Sequence, residues 1–242
     1  MQPLTPPLMP PLDTAELALI PSAPESVLSP AVARRLPPTA PTAPWRCTVD
    51  GVVWLQRVGA AAASVLPVRL QRGRTIPWLV GAFMHYTASP VGPYSEVYAG
   101  LLVRKGFRVV AHIPFMAVDS LASLRGGRAN WALPKTWATF DGNRPDDGVL
   151  EAAGEGWQVS ARARPFGPTV PMRAALPFVQ VRPDQAVGWF TSTISGSARP
   201  CRVEVDVASE GSLAGWMRPG RHLATQWANA SLTVSPLAEK SL

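Results

Sequence analysis

The 242-residue chain is short of several things, and each shortage removes a class of function. It has two cysteines, Cys47 and Cys201, far apart and in no CxxC pair. Reduced thiols are expected, with neither a disulfide framework nor a thiolate metal site. Its three histidines, His85, His112 and His222, have no HxxxH-type spacing, so no metal is expected. No apolar run reaches the roughly 18 residues that a membrane-crossing helix needs. The first residues lack the basic start and apolar stretch of a secretory signal. A cytoplasmic protein without membrane contact is therefore expected. Neither GxGxxG nor GxxxxGK[ST] occurs, and Ser195 stands outside any GxSxG context. Nucleotide cofactors and a hydrolase nucleophile elbow have no basis in the sequence.

Lysine is the most informative shortage. Of 23 basic residues only Lys105, Lys135 and Lys240 are lysines. Arginine can replace lysine as a surface cation, but not as an amine nucleophile, because a guanidinium stays protonated. The net charge of +7 would suit an acidic partner. The basic residues are nevertheless scattered, apart from Arg34-Arg35 and Arg69-Arg72-Arg74, and no aromatic-interleaved basic motif appears. Nucleic-acid binding is not expected; small organic anions fit the charge as well.

What the chain does have is 47% hydrophobic residues, enough for a proper core. Residues 1–44 read as a proline-rich arm, with short helices possible at Asp13–Ile20 and Pro30–Leu36. Residues 45–242 read as one domain. Val52–Leu55 suggests a buried strand and Ala60–Leu66 a short helix ended by Pro67. Trp78–Tyr86 is a further strand. Val97–Val103 and Phe107–Ile113 are a hairpin turned at Arg104-Lys105-Gly106, which makes Lys105 a solvated turn residue. Asp119 reads as the cap of a helix ending at Gly126-Gly127. Beyond the turn-rich stretch 141–148, Val149–Ala152 with Gly156–Ala163, then Cys201–Val207 and Ala230–Val234, read as strands. Many short strands and few helices predict an α+β, mainly antiparallel β architecture.

Lys135 lies in the apolar stretch Trp131-Ala132-Leu133-Pro134-Lys135-Thr136-Trp137, with no carboxylate within five residues. Such an amine either snorkels to the surface or is desolvated. The ordered series Gly92-Pro93-Tyr94-Ser95-Glu96, a hairpin, Val118-Asp119, Gly127-Arg128 and Pro134-Lys135 resembles the acetoacetate decarboxylase superfamily. The resemblance is firmest over residues 45–140. It implies a β-barrel or cone core, a homo-oligomer, and a keto acid substrate. It implies that Lys135 forms a Schiff base with a ketone and that Glu96 moves protons at the reacting carbon. Arg128 is the candidate holder of the substrate carboxylate, and Tyr94 a candidate hydrogen-bonding partner of the substrate. No cofactor and no metal are implied.

The chain departs from the family pattern at several points. Thr136 replaces a second lysine, and Ala129 a glutamate in the Gly-Arg-Glu turn. By spacing, Gly81 falls where a second glutamate is expected and Val49 where an arginine is, with Arg46 and Arg57 as nearby substitutes. At pH 7 only about one free lysine amine in 2,500 is neutral, which costs nucleophilic attack about 4–5 kcal/mol. Without an adjacent lysine, burial by Trp131, Leu133 and Trp137, or the approach of Arg128, is left to supply that activation. Two readings besides a decarboxylase-like lyase stay open: an aldolase-dehydratase on keto acids, and a non-catalytic binder of small organic acids. A scaffold protein acting through its proline-rich arm is a third.

Overall fold

The computed structural model describes residues 7–71, 74–142 and 148–239. Its strands are β1 (Trp45–Arg57), β2 (Arg74–Ala88), β3 (Tyr94–Lys105), β4 (Arg108–Val118), β5 (Lys135–Trp137) and β6 (Thr139–Asp141). They continue as β7 (Val149–Gly154), β8 (Trp157–Pro165), β9 (Val170–Val181), β10 (Val187–Ser209), β11 (Gly220–Val234) and β12 (Ala238–Glu239). All belong to one 12-stranded sheet in the order β11-β1-β2-β3-β4-β9-β10-β8-β7-β6, mostly antiparallel as the sequence predicts. An additional pairing of β10 with β11 closes β11-β1-β2-β3-β4-β9-β10 into a ring. The weakest seam joins β4 to β9 through the single parallel bridge Ala111–Phe178. Side chains reinforce it: Gln180 donates to the Ile113 carbonyl, and His112 Nδ1 lies 3.1 Å from the Val179 carbonyl.

Period-two alternation assigns the two faces of the ring. On β3, Val97, Ala99, Leu101 and Val103 point outward into a core shared with Val52 and Trp54 of β1 and with Leu150, Trp157 and Val159 of β7 and β8. Tyr94, Glu96, Tyr98 and Leu102, their alternates, face the interior. Inside, apolar packing closes only one end. The helix Leu121–Trp131 plugs that end with Leu124, Ala129 and Trp131. The proline-rich arm adds Leu12, Leu17, Ile20 and Leu28 behind it. Two of the arm's short helical turns are a 3-10 turn at Glu16–Leu19 and an α-helical turn at Pro30–Ala33.

Several local readings need correction. The helix is capped by Ser120, whose hydroxyl accepts from Ser123 N; Asp119 instead accepts from Ser95 N at 2.7 Å. The helix does not stop at Gly126-Gly127. It runs on to Trp131 and turns at Ala132, which takes the left-handed conformation at φ 52°. A non-glycine residue there costs about 1–2 kcal/mol. The two glycines serve close approach rather than termination. A Cβ on Gly126 would stand 2.5 Å from the Trp45 ring, and one on Gly127 2.5 Å from Cδ and Cε of Lys135. Ala60–Val65 is a 3-10 helix. Residues 143–147 of the turn-rich stretch lie outside the described residues, as do Arg72 and Lys240.

Candidate active site

Lys135 begins β5, which pairs in parallel with β4 so that Lys135 stands beside Met116. Behind it the chain leaves the helix through two backbone bonds, Ala132 N to the Arg128 carbonyl and Leu133 N to the Gly127 carbonyl, and Pro134 prevents the helix from continuing. The lysine side chain then runs back along the helix over Gly127. Its Nζ reaches the first helical turn, where it donates to Ser123 Oγ at 3.0 Å. It also donates to Glu96 Oε2 at 2.7 Å. Both residues of this ion pair are only 3% exposed. A Cβ on residue 127 would force the lysine chain aside, although alanine suits a helix better than glycine by about 1 kcal/mol. Gly127→Ala is thus expected to keep the fold while lowering activity on the order of 100-fold, the scale for a misplaced reacting group. Unfolding curves and turnover measured side by side check this.

The second Glu96 oxygen, Oε1, accepts from the Tyr86 hydroxyl at 2.9 Å. Tyr86 stacks on Tyr94 with ring centroids 4.1 Å apart, and the Tyr94 ring lies 5.2 Å from Nζ. Burial first, and the Glu96 charge second, push both phenols well above their ordinary range, so both remain hydroxyls. Cys47 is close by, and burial pushes its thiol up to about 12 despite the opposing charge of Lys135, leaving an unreactive thiol.

This cluster forms the closed end of a cavity of about 1140 Å³ inside the ring. The walls are mainly aliphatic and aromatic. Trp131 and Leu133 line it as the sequence suggests, but Trp137 does not: it lies under the Arg35 guanidinium at 5.2 Å. Among the described lining residues, Glu96 is the only carboxylate, and the cations are Lys135, Arg57, Arg218 and Arg221, with His222 beside them.

Lys135, Glu96 and Tyr94 therefore meet, whereas Arg128 does not reach the cavity. Its guanidinium is wholly buried and donates to three carbonyl oxygens, those of Lys135 (2.6 Å), Leu17 (2.6 Å) and Ser26 (2.8 Å). Burial pulls it down to about 9, still charged at neutral pH. Arg128 ties β5 to the arm, so its assignment to a substrate carboxylate is withdrawn. Gly81 is also outside the site. It lies on the outward face of β2, where a Cβ would stand 2.3 Å from the Trp54 ring, leaving no room for a side chain. Val49 is buried on the inner face, Arg46 is exposed, and only Arg57 of the two suggested substitutes lines the cavity. Thr136 is buried, with its hydroxyl 3.5 Å from the Val27 carbonyl. Sequence reasoning missed Tyr86 and Ser123. Inward alternation on β2 could have found Tyr86, whereas a serine in a helix carries no such signal.

A ring of mostly antiparallel strands with a lysine–carboxylate pair at the closed end of an apolar cavity defines the class: an α+β scaffold with a buried amine site. The chain belongs to the acetoacetate decarboxylase family, whose model matches residues 28–167. Similar solved structures include an acetoacetate decarboxylase from Legionella pneumophila (13% identity, 84% of this chain and 89% of that one, TM-score 0.56). Another is the enduracididine biosynthesis enzyme MppR complexed with pyruvate (17% identity, 84% and 92%, TM-score 0.56). A third is an acetoacetate decarboxylase-like enzyme from Sphingomonas wittichii (13% identity, 84% and 94%, TM-score 0.54). At these identities the likeness concerns the fold. Comparison with curated protein sequences finds no match. Among the described residues no helix is long and apolar enough to cross a membrane, and no group of three or more His, Cys, Asp or Glu could hold a metal ion.

Proposed function

We propose that the protein is an enzyme that acts on a keto acid through a Schiff base at Lys135, making or breaking a carbon–carbon bond. One observation carries this reading: the amine of Lys135 and the carboxylate of Glu96, 2.7 Å apart and nearly inaccessible, stand at the end of a cavity open to a ligand. A buried ion pair is a poor device for stability, because desolvation cancels most of its attraction. Placed in a cavity, it is a good device for moving a proton between nitrogen and carboxylate.

The geometry supports the following chemistry. Lys135 passes a proton to Glu96 and the neutral amine adds to the ketone carbon. The carbinolamine loses water and becomes a protonated imine, whose C=N accepts an electron pair. In a β-keto acid, the bond to the carboxylate breaks, carbon dioxide leaves, and the pair rests as an enamine. Glu96, having given its proton to the departing hydroxyl, takes up another from water and delivers it to carbon, and water hydrolyses the imine to ketone and free Lys135. In a keto acid with hydrogens on the carbon beside the carbonyl, Glu96 instead removes one, and the enamine attacks an aldehyde. Tyr86, donating to Glu96 Oε1, holds the carboxylate toward Nζ through the cycle. The first turn of the helix presents its partial positive charge beside Nζ, an electrostatic counterpart of the lysine that Thr136 replaces.

Proton exchange at carbon is common to both routes. With keto acids in deuterium oxide, the protein is expected to catalyse exchange beside the carbonyl, read by NMR. Glu96→Gln should slow that exchange by about 10²–10⁴-fold, the usual worth of a general acid–base group. Exchange unchanged in Glu96→Gln would remove Glu96 from the mechanism.

A further inference from the structure

The cavity is larger than a three- or four-carbon acid requires. We propose that the substrate is an amphipathic carbonyl compound. Its ketone or aldehyde reaches Lys135, a long apolar body fills the cavity, and a carboxylate or phosphate is held at the rim by Arg57, Arg218 and Arg221. This deepens the Schiff-base reading, and rests on it for the reacting end alone.

Size is the first support. About 1140 Å³ exceeds the roughly 300–1,000 Å³ of pockets that enclose drug-sized ligands. Length is the second. Glu96 pairs in register with Met84, and Met84 with Gly51. Six residues further along β2 and β1 stand Trp78 and Arg57, paired with each other and both lining the cavity. Along a strand that separation is roughly 20 Å. Polarity is the third. Between the two ends the wall is built of side chains such as Val53, Leu102, Ile113, Leu176 and Phe178. A pyruvate-sized ligand would leave this wall wet, whereas an alkyl or isoprenoid body would remove it from water at about 25 cal/mol per Å².

The distribution of charge fixes the orientation. At the closed end the only cation among the described lining residues is Lys135, and it is already paired with Glu96. A second anion there meets the Glu96 charge, which favours the enamine route over the loss of a carboxylate beside the ketone. At the open end, exposed Leu55, Trp78 and Leu223 are accompanied by three guanidiniums and by no lining carboxylate. Arg57 stacks over Trp78 at 5.2 Å. Arg221 stands opposite Glu204 in register and has a loose, exposed contact with its carboxylate at 3.6 Å, which a ligand anion can replace. Part of the net positive charge is thus gathered where an anionic end group would emerge.

Two measurements on the full chain test the proposal. In the first, the fluorescent fatty acid cis-parinaric acid is titrated into the wild type, Lys135→Ala and the double variant Arg57→Ser/Arg221→Ser. The proposal predicts binding to the wild type, binding retained by Lys135→Ala, and roughly tenfold weaker binding by the arginine variant, the scale of one lost ionic contact. In the second, borohydride reduction compares pyruvate, acetoacetate and a long-chain fatty acid bearing a ketone near its far end. The last is expected to modify Lys135 at least tenfold more readily at equal concentration. Should pyruvate or acetoacetate be reduced onto Lys135 while parinaric acid fails to bind, the ligand class is wrong and the Schiff-base reading stands. Should the fatty acid bind while no carbonyl compound is ever reduced onto Lys135, the reacting end of the proposal fails with that reading. Binding indifferent to the arginines overturns the rim assignment. Binding that disappears as protein concentration rises shows that a second copy, not a ligand, covers the mouth.

Discussion

Lys135→Met is expected to abolish all keto acid chemistry and to destabilise the fold by about 3–5 kcal/mol, the cost of leaving one partner of a buried pair uncompensated. Glu96 would then keep only the Tyr86 hydroxyl in a site that is 3% exposed, or protonate at a cost. The informative comparison is the double variant Lys135→Met/Glu96→Leu. Both charges are gone and the replacements roughly match in volume, so most of the lost stability should return while activity stays absent. Denaturant unfolding of wild type, both single variants and the double variant gives the coupling. A pair kept for catalysis shows an inactive double variant at least as stable as the wild type. A pair kept for structure leaves the double variant as unstable as the worse single one.

The second large effect belongs to Arg128. Its three carbonyl partners come from β5 and from two points of the arm, so one guanidinium joins three segments that no strand pairing connects. Arg128→Met leaves three buried carbonyls without donors, at about 1–3 kcal/mol each. A total loss of about 3–6 kcal/mol is expected after relaxation. Arg128→Lys should recover little, because a single ammonium cannot match a planar fork that spans three acceptors. The residual folded fraction should also react more slowly with carbonyl compounds, since Arg128 fixes the Lys135 backbone. Thermal unfolding together with imine formation per folded molecule separates the two consequences. Rescue of stability by lysine would mean that the charge, not its geometry, matters.

The sequence made the architecture legible because the strands carry it openly. The Val97–Val103 and Phe107–Ile113 runs around Lys105-Gly106 give β3 and β4 with the expected turn, Lys105 facing Arg108 in register and Gly106 at φ 60°. The lysine was legible for a different reason: an amine among tryptophans with no carboxylate nearby in sequence, in a chain with only three lysines, asks for an explanation, and the resemblance of the ordered series around it supplied one. What stayed hidden depended on contacts between distant segments. Arg128 resembles any cation near a helix end, and only the arm passing behind β5 makes it structural. Gly81 stands at the right spacing for an active-site residue, yet strand alternation turns it away from the cavity toward Trp54. Gly126 and Gly127 imitate a helix stop because close packing and chain termination favour the same residue. Tyr86 and Ser123 join the site through β2 and the helix, whose meeting no local pattern announces.

The central claim is that Lys135 is the nucleophile, and borohydride reduction with peptide mapping tests it most directly. Short and long-chain keto acids are incubated with the protein, reduced and digested, and the site of added mass is read by mass spectrometry. The account predicts a stable secondary amine on the peptide carrying Lys135, absent from Lys135→Met and independent of Lys105. No adduct with any keto acid, or one confined to Lys105 at its exposed hairpin, would contradict it.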